Sequence, residues 1–120
     1  MCATIIGIIK KAGEKLDIDF LEIVKALSNE TRLNILKWLR DPAANFPPQD
    51  ETCDEADISD GVCVSRIREK AGISQSTVSN YLDLMQRAGL LTSVRHGKWT
   101  YYRRCEETIR QLSEYIASEL

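Results

Sequence analysis

Histidine is almost absent from this chain: His96 is the only one in 120 residues. That leaves no His pair for a general-base or metal centre, and no glycine-rich loop is present to cradle a phosphate. An enzyme is therefore not expected, and neither a cofactor nor a resident metal is called for. Long apolar runs are lacking too. Thr4 to Ile9 is too short to span a bilayer and lacks the flanks of a secretory signal, so no membrane association is expected and the location should be cytoplasmic. Four cysteines, Cys2, Cys53, Cys63 and Cys105, stand at wide, irregular spacing, which in a cytosolic chain argues against a structural disulfide framework.

What is present suffices for one modest domain. A chain of 120 residues with 43% hydrophobic content can bury a small core but has no room for a second catalytic domain. The net charge of −2 conceals a marked segregation. Residues 61–104 hold eight basic side chains (Arg66, Arg68, Lys70, Arg87, Arg95, Lys98, Arg103, Arg104) against Glu69 and Asp83, whereas 41–60 hold seven acidic residues and no basic one. A clustered cationic module matters more for phosphate contact than the sum over the chain.

Within that module Val64, Ile67 and Ala71 fall at helical spacing, and Gly72 supplies a helix stop. Ser74 can cap a second helix, in which Val78, Leu82 and Met85 recur every three or four residues. The opposite face carries Gln75, Ser76, Ser79, Asn80, Asp83 and Arg87, polar but weakly charged. Gly89 ends this helix, and Leu90–Arg95 and Trp99–Arg103 flank His96-Gly97-Lys98 as two strand-like runs. The pattern predicts a mainly α chain with a β-hairpin wing, a winged helix-turn-helix. Phe20, Ile23, Val24 and Leu27, and then Leu33, Ile35, Leu36 and Leu39, form two scaffold stripes, the second ending at Asp41-Pro42. The divisions expected are an N-terminal helix over 1–18, an extended acidic loop over 41–60, the helix-turn-helix over 64–89, the wing over 90–104 and a dimerisation helix over 105–120. Trp38 and Trp99 read as packing residues.

Two stretches resemble a known family. Ala26-Leu27-Ser28-Asn29-Glu30-Thr31-Arg32-Leu33-Asn34-Ile35-Leu36 is similar to its Ala-Leu-x-x-x-x-Arg-x-x-Ile-Leu helix start. Gly72 to Ser79 with Leu82 resembles its recognition helix, followed by Gly89-Leu90-Leu91 and Tyr101-Tyr102. On these motifs the chain, from about Phe20 to Leu120, resembles the ArsR/SmtB group of bacterial transcriptional repressors. The resemblance implies a homodimer, paired through the terminal helices, that binds double-stranded operator DNA of palindromic form. It places Gln75, Ser76, Ser79 and Asn80 toward the groove, with Ser74 and Thr77 able to serve bases or phosphates. Arg95, His96 and Lys98 at the wing tip should reach phosphate or minor groove. Where relatives often carry His-His, this chain has Asn80-Tyr81.

The inducer is less legible. Many relatives bind a soft metal through Cys-Val-Cys, but here the matching run is Cys63-Val64-Ser65, and the last helix has no histidine. Both familiar metal sites are broken. Cys63, near a helix N-terminus with Arg66 and Arg68 close in sequence, is a candidate thiol sensor with Cys53 as its resolving partner. The alternatives are a thiolate cluster for arsenic(III) or another soft ion, Cys63 as a plain buried apolar residue, and a winged-helix module that contacts only proteins.

Overall fold

The computed structural model describes residues 18–46 and 61–120. The N-terminal helix expected over 1–18 and the greater part of the acidic loop, Cys53 included, lie outside the described residues. Helix α1 (Phe20–Leu27) starts at Asp19, whose side chain accepts the Glu22 N–H at 3.2 Å, and α2 (Glu30–Arg40) starts at Asn29, which accepts the Arg32 N–H at 2.9 Å. Each cap satisfies one of the backbone donors a helix start leaves over. Their inward residues, Ile23, Ala26, Ile35, Leu36 and Leu39, are buried.

Beyond Arg40 the chain departs from the expected extended loop. Pro42 opens a one-turn helix, α3 (Pro42–Asn45), because its fixed φ suits a first helical position and no N–H is needed there. Phe46 then enters the core edge-on to Trp38, with ring centroids 6.4 Å apart. A prolyl start and one large apolar side chain outweigh the acidity of the segment that follows.

Strand β1 (Val62–Cys63) leads directly into α4 (Val64–Ala71), which closes at Gly72 with φ 68° and its N–H returned to the Arg68 and Glu69 carbonyls. Helix α5 (Gln75–Arg87) begins three residues later, capped by Ser74. Strands β2 (Leu91–His96) and β3 (Trp99–Arg104) form the expected hairpin, with His96 opposite Trp99 and Leu91 opposite Arg104. The sheet has a third strand that hydropathy does not reveal: β1 pairs antiparallel with β3, Val62 opposite Tyr102 and Cys63 opposite Tyr101, giving the order β1-β3-β2. Two residues are too few to show an alternating pattern.

The core lies between α2, α4, α5 and one face of the sheet. Ile35, Ile67, Val78, Leu82, Met85 and Leu90 have no exposed surface, and each such side chain contributes on the order of 1.5–3 kcal/mol of burial. Helix α6 (Glu106–Glu119) follows the sheet. Its innermost residues are polar: Gln111 is buried and donates to Glu107, while Thr108 is buried against Cys105 Sγ. Ile109 and Leu112 pack on the core edge, and Tyr115 stacks on Phe20 of α1 at 4.6 Å. No helix among the described residues is long and apolar enough to cross a membrane.

Candidate nucleic-acid interface

The outward surface of α5 is set by what holds its inner side. Val78, Leu82 and Met85 anchor the helix, so Gln75, Ser76, Ser79, Asn80, Asp83 and Arg87 are turned to solvent. The members of this row differ in how much hydrogen-bonding capacity they retain. Ser74 Oγ accepts the Thr77 N–H at 3.2 Å and donates to Thr77 Oγ1 at 2.9 Å, which makes these two the fastening of the helix start. Gln75 donates from Nε2 to Ser79 Oγ at 3.2 Å, leaving its carbonyl open. Among the described residues the Asn80 amide has no hydrogen-bond partner, so donor and acceptor are both available. Asp83, the one acidic member, is neutralised by Arg87 one turn on, 3.0 Å away.

The wing presents a smaller charge than residue counting suggests. Arg95 and Lys98 are exposed; Arg95 Nε donates to the Gly97 carbonyl at 3.1 Å, and Lys98 Nζ lies 5.7 Å from the Trp99 ring centre. His96 is half-buried, edge-on to Tyr101 with ring centroids 5.5 Å apart, so it does not project with its neighbours. Its place is explained by the pleat. Thr92, Val94 and His96 share the sheet face of Tyr101 and Cys63, while Ser93 and Arg95 share the other.

Of the remaining basic residues Lys70, Arg87 and Arg103 are exposed, but several are engaged within the fold. Arg66 is buried. Lys70 Nζ stands 5.1 Å from the Trp38 ring centre and 5.8 Å from that of Phe46, tying α4 to α2. Arg104 binds Glu106 of α6, its Nε donating at 2.9 Å. That hydrogen bond, ahead of the charges of Arg104 and Arg40, holds the Glu106 carboxyl below its ordinary range against the opposing effect of burial. Tyr102, at the junction of sheet and α5, is raised above the ordinary phenol value by burial and then by the nearby Asp83 charge.

Cys63 is the N-cap residue of α4 and is 1% exposed. Its sulfur lies 3.5 Å from Ser65 Oγ. Both cysteines among the described residues, Cys63 and Cys105, are disulfide-bonded. This corrects the expectation that the spacing argues against a structural disulfide framework, since sequence separation says nothing of which sulfurs the fold brings near. Sequence reasoning also missed Asn29, Arg32 and Tyr81, which meet where the α1–α2 corner packs on α5.

A two-helix unit with a three-residue turn, a second helix whose polar row rests on buried aliphatics, and an antiparallel hairpin after it define a winged helix-turn-helix DNA-binding protein. No family model matches the chain. It is 48% identical over 100 residues to the HTH-type transcriptional regulator YbzH of Bacillus subtilis, covering 83% of this chain and 97% of that protein. It is 33% identical over 88 residues to ArsR2 of Halobacterium salinarum, a putative arsenical resistance operon repressor, covering 73% of this chain and 60% of that one. An ArsR-like regulator from Rhodococcus sp. RHA1 superposes with a TM-score of 0.57 at 24% identity, over 83% of this chain and 80% of its own. The chain belongs to the ArsR family of transcriptional regulators, a non-enzymatic class.

Proposed function

We infer that the protein is a cytoplasmic homodimeric repressor that places α5 of each protomer in the major groove of a palindromic operator. Two-fold pairing would set the recognition helices roughly 34 Å apart, one DNA turn. The observation that carries this reading is the row Gln75, Ser76, Ser79 and Asn80, exposed on a helix whose other side is rigidly buried. Asn80, with donor and acceptor both open, has the chemistry to read an adenine edge. Arg95 and Lys98 supply phosphate contact. The helix pairing is supported by Leu21, Val24 and Ile116, 66%, 43% and 47% exposed, on the two helices joined by the Phe20–Tyr115 stack, and by Leu120, 79% exposed, directly after the second. An apolar face of this kind marks an interaction surface.

Binding of promoter duplex against random duplex over a range of salt tests the reading. Operator affinity should fall steeply with salt. Asn80→Ala should lose about 1–3 kcal/mol at one operator position with random-sequence binding nearly intact, while Arg95→Ala weakens all sequences alike. Salt-insensitive or undetectable duplex binding would assign the polar row to protein contacts instead.

Release from DNA is proposed to follow oxidation of Cys63. The oxidised state of its sulfur supports this over a thiolate cluster, which needs free thiolates. Cys63 lies opposite Tyr101, four residues before Cys105 on extended chain, roughly 13 Å at the usual strand rise. A disulfide needs Cα atoms within about 7 Å, which sets Cys105 aside; Cys53, the nearer cysteine in sequence of the two outside the described residues, is proposed as the partner. Two thiols then surrender two electrons and two protons to an oxidant such as diamide. Diamide, arsenite and zinc, tried in parallel on the DNA complex, separate oxidation from soft-ion binding at the thiols. Cys63→Ser should abolish diamide-induced release. Unchanged release in that variant would dismiss the role of this thiol.

A further inference from the structure

The end of α1 is built without glycine: its last residue is followed by Ser28, φ −85°, so the final carbonyls need other donors. Ser28 covers the Lys25 carbonyl, its N–H donating at 3.3 Å and its Oγ at 2.8 Å, and Arg32, from the first turn of α2, supplies the rest. Its Nε donates to the Ala26 carbonyl at 2.7 Å and its Nη2 to the Lys25 carbonyl at 3.3 Å. The same guanidinium lies 4.9 Å from the ring centre of Tyr81, on α5. Asn29, which caps α2 by accepting the Arg32 N–H, donates from Nδ2 to the Tyr81 hydroxyl at 3.4 Å. Tyr81 is thus held by a face contact and an edge contact, both from the α1–α2 corner, and it directly follows Asn80.

We propose that Arg32 and Tyr81 are positioning residues for DNA reading: they lock the polar row of α5 to the helix that carries the exposed Leu21 and Val24. The inference rests on the operator-reading function proposed above. The physical need is angular. A duplex presents successive grooves at a fixed spacing and phase, so two reading helices succeed together only if each is rigidly oriented to the surface that pairs the protomers. Backbone packing of α1 on α5 restrains distance, whereas a planar fork bound to two carbonyls and stacked on a ring restrains rotation. A lysine at position 32 keeps the charge and loses the fork.

The test is a double-mutant cycle read on operator and on random duplex, with folding of each variant checked by circular dichroism. Contacting residues couple strongly, so Arg32→Lys and Tyr81→Leu should each weaken operator binding about tenfold, and the double variant no further than the weaker single. Random-duplex affinity should stay within about twofold. Tyr81→Phe keeps the ring beneath Arg32 and should retain most of the affinity. Losses that multiply in the double variant, equal losses on both duplexes, or wild-type operator binding by the variants would overturn the proposal. Wild-type protein that fails to distinguish operator from random duplex would overturn the operator reading and the positioning role with it.

Discussion

Gly61→Ala is expected to lower stability by about 3 kcal/mol or more, combining strain at an unfavourable φ with a backbone collision. Gly61 has φ 114°, and a Cβ there would lie 2.5 Å from the Tyr102 carbonyl oxygen and 2.8 Å from its carbon. Neither atom can yield, because Tyr102 is paired with Val62 on one side and Ser93 on the other. Separation of β1 from β3 would relieve the clash, and with it would go the burial of Val62, Cys63 and Tyr101. Gly72→Ala is the control. Its φ is 68° but nothing lies within 4 Å of a Cβ built there, so only the left-handed penalty of roughly 1–2 kcal/mol applies. Urea unfolding of the two variants gives the difference. Equal midpoints would show that the close approach to Tyr102 contributes nothing.

Ile116→Asp should convert the protein to a monomer and reduce operator affinity by about a hundredfold or more, the loss expected when two linked binding events become one. Ile116 is 47% exposed in the single chain, so a carboxylate there is solvated in the monomer and becomes costly only when a partner covers it. Thermal unfolding of the monomer should change little, while sedimentation should show half the mass. A variant that still sediments as a dimer would move the pairing surface elsewhere; a monomer that binds operator as tightly as wild type would dismiss the two-fold reading. The effect differs from that of Arg32→Lys, which is expected to leave pairing intact and misorient the reading helix.

Charge shows where residue counting misleads. Arg66, Lys70, Arg87 and Arg104 all contribute to the cationic module seen in the sequence. In the fold Arg66 is buried, Lys70 faces aromatic rings, and the other two pair with Asp83 and Glu106. The exposed wing cations Arg95 and Lys98 are what remains of that prediction at the hairpin tip. His96 was expected among them by position in the turn, yet strand alternation puts it on the face of Tyr101.

Features carried by neighbours along the chain were legible before any coordinates: the periodicity of Val78, Leu82 and Met85, the Ser74 cap, the Gly72 stop and the hairpin around Gly97. Helix and turn chemistry is local, with partners three or four residues apart, so a linear text contains it. Only the tertiary structure decided that β1 completes the sheet, that Phe46 enters the core, that Cys63 and Cys105 are oxidised, and that Arg32 grips α1 while facing Tyr81 forty-nine positions away. Those contacts join residues whose separation along the chain carries no signal; the Arg32–Tyr81 contact, for one, forms because packing the α1–α2 corner against α5 brings the two within reach.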